Sequence, residues 1–314
     1  MEKARYGYGD FVYEAVEDWG VFPEDAYVGN VPDACVDKDD NVFILLRNEN
    51  PILELTADGK TTACWGKNMF ARPHGIYIDD ESYIWLADDT DHTVRKLDKD
   101  HNVLMTLGTE GVGSDTGISK PRAWKTIKQA AGPFNSPTAV CLDGDKNIYV
   151  ADGYGNCRIH KFSPQGELLK SWGDIGDKPS CFAIPHSVAI LDDTLYVCDR
   201  QNYRIQLFDL DGNFKASWPG FYRPAKIVIK DRIFFICENV REAIFNPIIP
   251  NRITVCDEYG TVLSHIEGPH RYADGDPYHC THGMAIDSQW NLYVCDICKK
   301  PVDGFVGIHK FKRV

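Results

Sequence analysis

The sequence PHGIYIDDESYIWLADD, residues 73–89, predicts the fold because it returns in altered form along the whole chain. Two copies keep its opening closely, PHSVAILDDTLYVCDR at 185–200 and THGMAIDSQWNLYVCDI at 281–297. Three looser copies begin at Pro32, Pro137 and Pro224. Each copy holds two short apolar runs separated by a polar turn, which is typical of a β-hairpin.

After each hairpin the sequence continues with a third and a fourth strand. An example is RIQLFDLDGNFKASW at 204–218, where Asp-Gly marks the turn. The shortest distances between copies are about 40 residues, the usual length of one propeller blade. The six copies therefore predict an all-β chain, a six-bladed β-propeller that forms a single domain over residues 1–314. The last copy lacks a fourth strand, and we expect FVYEAVEDW at 11–19 to complete it and close the ring.

Two pairs of copies are separated by more than a blade's length. One insertion covers residues 108–133 and contains PRAWKTIKQAA at 121–131, which predicts a short helix. The other covers residues 241–252. Long insertions in a compact fold are either functional lids and pocket walls or decoration, and the sequence leaves both interpretations open.

Composition excludes several classes of function. The net charge of −12 disfavours binding to nucleic acid and to anionic membranes, since both require clustered lysine and arginine. No apolar run approaches the ~20 residues that span a bilayer, and the N-terminal residues do not resemble a signal peptide. We therefore expect a cytoplasmic protein with a small-molecule substrate. The cysteines Cys198, Cys237 and Cys295 share one position in the second strands, which favours core packing over disulfides.

Every second copy carries a histidine directly after its opening residue. These are His74, His186 and His282, whereas the other copies have Asp33, Thr138 and Ala225. In a closed six-fold ring, alternate blades lie about 120° apart, so the three imidazoles would converge on one metal ion. Three protein ligands leave one position of a tetrahedral Zn²⁺ open, as in catalytic sites, although imidazole also suits Fe²⁺, Ni²⁺ and Cu²⁺. His279 is either a fourth ligand or unrelated to the site.

The ends of the second strands supply further polar candidates. Strand two runs antiparallel to strand one, so its end lies beside the histidines. Arg47 and Arg200 end two of these strands and are either carboxylate-binding groups or members of salt bridges at the rim. Tyr154 follows a third and is either a general base or a stacked aromatic of the turn.

The phrases DGYGNCRIHKFSPQGELLKSWG (152–173) and IPHSVAILDDTLYVCDRQNYRIQLFD (184–209) resemble NHL repeats. More specifically, they resemble the peptidyl-α-hydroxyglycine α-amidating lyase family and its bacterial relatives. The resemblance implies a six-bladed propeller with a catalytic zinc ion on His74, His186 and His282. It also implies a catalytic Tyr154 in DGY-x-N-x-RI and a catalytic Arg200 in DR-x-N, with Arg47 binding the substrate carboxylate. The implied reaction cleaves the C–N bond of an α-hydroxyglycine-like carbinolamide, giving an amide or amine plus glyoxylate or an aldehyde.

The chain departs from this family at three positions. Gly155 stands where the animal enzymes have a cross-linked cysteine, Gly283 where they have an aspartate that serves a structural calcium ion, and Thr281 where the pattern has proline. These departures favour a small hydroxylated metabolite over a peptide precursor as substrate. The alternatives are a three-histidine metal hydratase or hydrolase, a non-catalytic NHL protein-binding scaffold, and a calcium-dependent lactonase.

Overall fold

The computed structural model describes residues 4–24, 26, 28–239, 251–267, 279–298 and 306–314. The second predicted insertion lies almost entirely outside these ranges. The chain divides into two compact units, one of Met1–Lys67 with Ala225–Val314 and one of Asn68–Pro224. No helix within the described ranges is long and apolar enough to cross a membrane.

Regular structure in the described residues is almost entirely β-strand. The strands, in chain order, are β1 Arg5–Tyr8, β2 Phe11–Val16, β3 Ala34–Val36, β4 Val42–Leu45, β5 Ile52–Leu55, β6 Thr61–Trp65, β7 Pro73–Ile78, β8 Ile84–Asp88, β9 Thr93–Leu97, β10 Val103–Gly108, β11 Pro137–Leu142, β12 Ile148–Asp152, β13 Arg158–Phe162, β14 Leu168–Trp172, β15 Asp174–Ile175, β16 Cys181–Phe182, β17 Pro185–Leu191, β18 Thr194–Asp199, β19 Arg204–Asp209, β20 Phe214–Pro219, β21 Pro224–Lys230, β22 Ile233–Glu238, β23 Arg252–Cys256, β24 Val262–Ile266, β25 His279–Ile286, β26 Leu292–Cys298 and β27 Ile308–Arg313.

These strands form the six blades that the repeat predicts, so the chain has the six-bladed β-propeller fold. Residues 68–224 contain the second, third and fourth blades, which are the sheets β7–β10, β11–β14 and β17–β20, together with the parallel pair β15–β16. The other unit contains the first blade, β3–β6, the fifth, β21–β24, and the sixth, β25–β27. The prediction of one domain over residues 1–314 stays a prediction.

The N-terminal strand completes the sixth blade, as expected. Strand β2 pairs antiparallel with β27, with Tyr13 opposite Arg313 and Val16 opposite Lys310. Tyr13 is fully buried, so this pairing belongs to the core. Strand β1 adds a fifth strand to the sheet, which the sequence pattern did not predict.

An aspartate directly after strand one sets the turn to strand two. The Oδ1 atom of Asp79 accepts hydrogen bonds from the backbone amides of Glu81 at 3.0 Å and Tyr83 at 2.9 Å. Asp143 does the same for Asp145 and Asn147. This side-chain-to-backbone turn fixes the register of the first hairpin, and with it the position where strand one begins.

The predicted helix at 121–131 is wrong. The segment forms only a short 3₁₀ turn, Trp124–Thr126. The backbone amides of Lys128 and Gln129, which would continue a helix, both donate to the carbonyl of Thr116, at 2.9 and 3.3 Å. A bond to a distant carbonyl has replaced the local bond that helix propagation needs.

The core of each unit lies between neighbouring blades. Between the second and third blades, Trp85 and Ala87 pack in one cluster with Val150. The cysteines that share a position in the second strands, Cys198, Cys237 and Cys295, are fully buried, which confirms their packing role. Their small apolar side chains fill equivalent places in successive blades.

Candidate metal and catalytic site

The first strand of several blades begins with a β-bulge at the position where alternate copies carry histidine. On β7, Pro73 pairs with Asp88 and Gly75 with Ala87, so His74 is the extra residue. The same irregularity falls at Thr138, His186 and His282. A bulge turns one side chain away from the ordinary alternation of a strand, which explains how all four positions share one orientation relative to their blades. Sequence reasoning did not anticipate these bulges.

His74 is held in one tautomer by the third blade. Its Nδ1 atom lies 2.8 Å from the backbone oxygen of Thr138. Because a carbonyl oxygen can only accept, Nδ1 carries the hydrogen and Nε2 presents a lone pair. The side chain is 3% exposed, so this lone pair faces the interior of the protein.

Glycine at position 75 lets the third blade approach. A Cβ atom on Gly75 would lie 2.3 Å from the carbonyl oxygen of Thr138, the same oxygen that binds His74. Any side chain would push this carbonyl away from the imidazole. The His-Gly pair is therefore a local device that orients the histidine.

Tyr154 lies against both histidines of this unit. Its phenol oxygen is 3.0 Å from Nε2 of His74 and 2.9 Å from Nε2 of His186. Its ring meets both imidazoles edge-on, with centroid separations of 4.9 and 5.3 Å. The phenol has a single hydrogen, so it can donate to only one of the two nitrogens at a time.

Arg200 approaches the same phenol from the end of the fourth blade's second strand. Its Nη1 atom lies 3.3 Å from the Tyr154 oxygen, and its Cζ atom lies 5.6 Å from the centre of the ring. The residue is 6% exposed, and among the described residues its Nε–H has no hydrogen-bond acceptor. A buried guanidinium with an unused donor can bind an anionic group of a ligand.

Two buried aspartates hold the loops that carry Tyr154 and Arg200. The carboxylate of Asp152 accepts from the amide of Asn135 at 2.9 Å and from Nδ2 of Asn156 at 2.9 Å. Asp199 accepts from the amide of Ala183 at 2.8 Å and from Nε of Arg204 at 2.8 Å. Burial raises the pKa of Asp199 above its usual range, although these hydrogen bonds lower it. Sequence reasoning missed this role, although an aspartate recurs at the end of strand two and could have indicated it.

His282 repeats the arrangement of His74 within the other unit. Its Nδ1 atom lies 2.7 Å from the backbone oxygen of Pro32. A Cβ atom on the next residue, Gly283, would lie 2.6 Å from that oxygen and 2.6 Å from Cα of Asp33. The sequence therefore uses the same His-Gly device in the second and sixth blades.

Polar groups around His282 in this unit form their own network. The Asp33 carboxylate pairs with the ammonium of Lys226 at 2.6 Å, and both side chains are largely buried. Nδ2 of Asn239 donates to the carbonyl of Thr281 at 2.8 Å. Arg47 lies two residues beyond β4 and is partly buried.

The structure thus brings four predicted residues into contact, His74, His186, Tyr154 and Arg200. His282 and Arg47 lie in the other unit. Each of the three histidines is buried and has an imidazole nitrogen that could bind a metal ion. The side chain of His279 lies outside the described part of the chain.

Two of the departures from the resembled family fall where a side chain has no room. At Gly155, a Cβ atom would lie 2.0 Å from Oδ1 of Asn135 and 2.8 Å from its backbone oxygen. At Gly283, it would meet the backbone of the first blade. The cysteine and aspartate of the animal enzymes could not be placed here without moving that backbone or Asn135.

Comparison with known proteins gives partial matches of the sequence. The NHL repeat family matches residues 134–162. The chain is 33% identical over 187 residues to peptidyl-α-hydroxyglycine α-amidating lyase 1 of Drosophila melanogaster, covering 54% of this chain and 31% of that protein. It is also 33% identical over 166 residues to a probable lyase of the same name from Caenorhabditis elegans, covering 51% and 43%. Human NHL repeat-containing protein 3 is 32% identical over 191 residues, covering 56% and 51%. The chain thus spans at most about half the length of these relatives.

Solved structures support the fold over nearly the whole chain. A gluconolactonase from Xanthomonas campestris aligns with a TM-score of 0.62 at 13% identity, covering 99% of this chain and 95% of that one. A streptogramin B lyase aligns with a TM-score of 0.60 at 14% identity, covering 98% of each. These likenesses concern architecture alone, because the identities are low. The chain is a six-bladed β-propeller that matches the NHL repeat over residues 134–162 and resembles the peptidyl-α-hydroxyglycine α-amidating lyases.

Proposed function

We propose that this protein is a metal-dependent lyase that cleaves the C–N bond of an α-hydroxyglycine-like carbinolamide. The observation that carries the proposal is the position of the Tyr154 oxygen, within 3.0 Å of Nε2 on both His74 and His186 and 3.3 Å from Arg200. A proton-transferring phenol beside two metal-ligand candidates and a cation suits this reaction. The names of the relatives from Drosophila and Caenorhabditis support the same class of reaction.

In this proposal His74, His186 and His282 hold one divalent metal ion, which we take to be Zn²⁺. The donor set fits, because buried imidazoles suit zinc and leave a position open for substrate. The hydrogen bonds from Nδ1 to the Thr138 and Pro32 carbonyls direct Nε2 of His74 and His282 toward a ligand, as in known metal sites. When bound, the metal would supply Lewis acidity that makes a substrate hydroxyl easier to deprotonate.

Tyr154 moves the proton in the proposed reaction. Its oxygen accepts the hydrogen of the substrate hydroxyl while its own hydrogen passes to the leaving nitrogen, and the electron pair left on the substrate oxygen forms the carbonyl of glyoxylate or another aldehyde. The C–N bond breaks as this carbonyl forms, and the leaving nitrogen takes the proton from Tyr154. Nη1 of Arg200 donates toward the phenol oxygen and stabilises negative charge there.

The substrate in this proposal is a small carboxylate-bearing metabolite. The candidate donors to its carboxylate are Arg47 and the unused Nε–H of Arg200. A planar guanidinium suits this role, because two of its N–H groups can bind both oxygens of one carboxylate. Neither a nucleic acid nor a membrane is proposed as a partner, given the net charge of −12. We propose a cytoplasmic location, since the thiols of Cys157, Cys181 and Cys256 form no disulfide.

The test combines metal analysis with an assay for glyoxylate. Elemental mass spectrometry of the purified protein should find near-stoichiometric zinc, and His186→Ala should lose it while remaining folded. The wild type should release glyoxylate from N-acylated α-hydroxyglycines, and the variant should not. His265→Ala is the matched control, because His265 lies on β24, outside the register of the three histidines, with its Nδ1 atom 3.0 Å from the Thr254 hydroxyl.

Three results would redirect the proposal. Metal that stays in His186→Ala would exclude this residue as a ligand. Bound metal without C–N cleavage would favour a hydratase or hydrolase built on the same histidines. Failure to take up any divalent metal would leave the protein-binding scaffold as the better interpretation.

A further inference from the structure

The insertion at 108–133 is bonded to the loop that carries Tyr154. Asn156, two residues after the tyrosine, is fully buried. Its Oδ1 atom accepts from the amide of Ala131 at 3.2 Å, and its Nδ2 atom donates to the carbonyl of Ala131 at 3.2 Å. Nδ2 also donates to Asp152 at 2.9 Å, on the other side of Tyr154. One amide side chain thus ties the end of the insertion to both flanks of the tyrosine.

Asn135 makes a second connection from the opposite side. Its Nδ2 atom donates to the carbonyl of Ser114, inside the insertion, at 2.8 Å. Its own carbonyl accepts from the amide of Gly155 at 2.9 Å, and the next carbonyl, that of Ser136, accepts from the amide of Tyr154 at 3.3 Å. The backbone of the tyrosine therefore rests on a segment that the insertion holds.

Hydrogen bonds within the insertion connect its two ends, so its parts are held in fixed positions relative to one another. The Thr116 carbonyl accepts from the amides of Lys128 and Gln129, and the amide of Ser114 donates to Phe134 at 2.8 Å. Nε2 of Gln129 donates to the carbonyl of Asp115 at 2.8 Å. Thr116 is fully buried although most of its neighbours in the insertion are exposed. These bonds make the segment a folded brace and not a loose loop.

We propose that the insertion 108–133 is a positioning element for Tyr154 and that Asn156 is the residue that transmits this support. The catalytic consequence rests on the proposed lyase function, whereas the structural consequence does not. Without the brace, the phenol oxygen would lose its place between His74 and His186. Displacement of a reacting group by about 1 Å costs on the order of 10²-fold in rate.

The catalytic test compares Asn156→Ala with Asn147→Ala. Asn147 is the matched control, because its amide also donates to an aspartate, Asp143, at 2.9 Å, but in the hairpin turn of the same blade. We expect Asn156→Ala to lower kcat by about 10–100-fold, the range typical of residues that orient an active group. KM and bound metal should stay near the wild-type values, and Asn147→Ala should keep its kcat.

A second pair of measurements works without catalysis. Trypsin can cleave the insertion after Arg122, Lys125 and Lys128, which are exposed. Asn156→Ala should be cut there faster than wild type or Asn147→Ala. The ¹⁹F resonance of 3-fluorotyrosine at position 154 should shift or broaden in Asn156→Ala, and also in wild-type protein nicked only in the insertion.

The outcomes separate the two proposals. A shifted resonance in a protein that cleaves no carbinolamide would support the brace and reject the lyase function. Faster cleavage of the insertion with an unchanged resonance and unchanged kcat would overturn the brace. If Asn156→Ala does not fold, the wild-type protein cleaved in the insertion still tests the proposal. An unshifted ¹⁹F resonance of position 154 in that protein would contradict it.

Discussion

His74 and Thr138 occupy the same bulge in neighbouring blades, yet they do different work. His74 presents an imidazole to Tyr154. Thr138 presents its backbone carbonyl to His74, and its hydroxyl lies 3.1 Å from the carbonyl oxygens of Ala151 and Pro185. The bulge is therefore a property of the repeat, and the side chain placed on it decides between chemistry and support.

The same contrast appears in the other unit. His282 offers an imidazole, whereas the first blade contributes the Pro32 carbonyl that orients it and Asp33, which pairs with Lys226. Ala225, the equivalent residue of the fifth blade, is buried and small. Even-numbered blades thus carry the candidate ligands, and for His74 and His282 an odd-numbered blade carries the carbonyl that holds the imidazole.

The largest expected effect is at the group that faces the even-blade histidines. Tyr154→Phe keeps the ring between the imidazoles but removes the oxygen, so kcat/KM for carbinolamide cleavage should fall by roughly 10²–10⁴-fold. Metal content should not change. Tyr149→Phe is the control, because Tyr149 is a fully buried phenol bonded to Asp143 at 3.0 Å, away from the histidines. Full activity in Tyr154→Phe would remove the tyrosine from the mechanism.

The next largest effect is a loss of stability, and it is expected at Asp33 of the first blade. Asp33→Asn leaves the Lys226 ammonium buried without its countercharge, which should lower the free energy of unfolding by about 3–5 kcal/mol. Urea denaturation measures this loss. Adding Lys226→Met should recover most of it, since the double variant has no buried charge left at this pair. An unchanged midpoint in Asp33→Asn would mean that water already screens the pair.

A smaller effect is expected at the glycine that follows the histidine. In Gly75→Ala the new methyl group collides with the Thr138 carbonyl, so stability should fall by about 1–3 kcal/mol and zinc should bind more weakly. Gly144→Ala is the matched control, because a Cβ atom there meets nothing within 4 Å. Thermal unfolding and zinc titration measure the two effects. Equal behaviour of both variants would show that the His-Gly pair does not orient the imidazole.

The smallest effect is expected at Thr138, a residue of the third blade that holds His74 through its backbone oxygen and not through its side chain. Thr138→Val keeps the branched shape and the carbonyl but removes the hydroxyl, so the cost should be about 1 kcal/mol. Bound metal and kcat should match the wild type, because His74 is held by the backbone oxygen. Loss of metal in this variant would contradict the division between even and odd blades.

Much of the fold could be predicted because it repeats. Alternating strands, Asp-Gly turns and a missing fourth strand in the last copy were sufficient for six blades completed by β2. The strand pattern worked because a hairpin depends on neighbouring residues. The helix prediction at 121–131 failed because Thr116, outside that segment, takes the amides of Lys128 and Gln129.

For the candidate site, the sequence alone determined the periodic part, which is histidine in alternate blades and Tyr154 and Arg200 at the ends of second strands. Their catalytic and metal-binding roles stay predictions. The bulges, the tautomer of His74 and the support of Tyr154 by Asn156 are visible only in the three-dimensional structure. The physical reason is that these features depend on backbone carbonyls and amides of distant residues. Such groups are the same in every residue, so no sequence pattern marks which of them will meet.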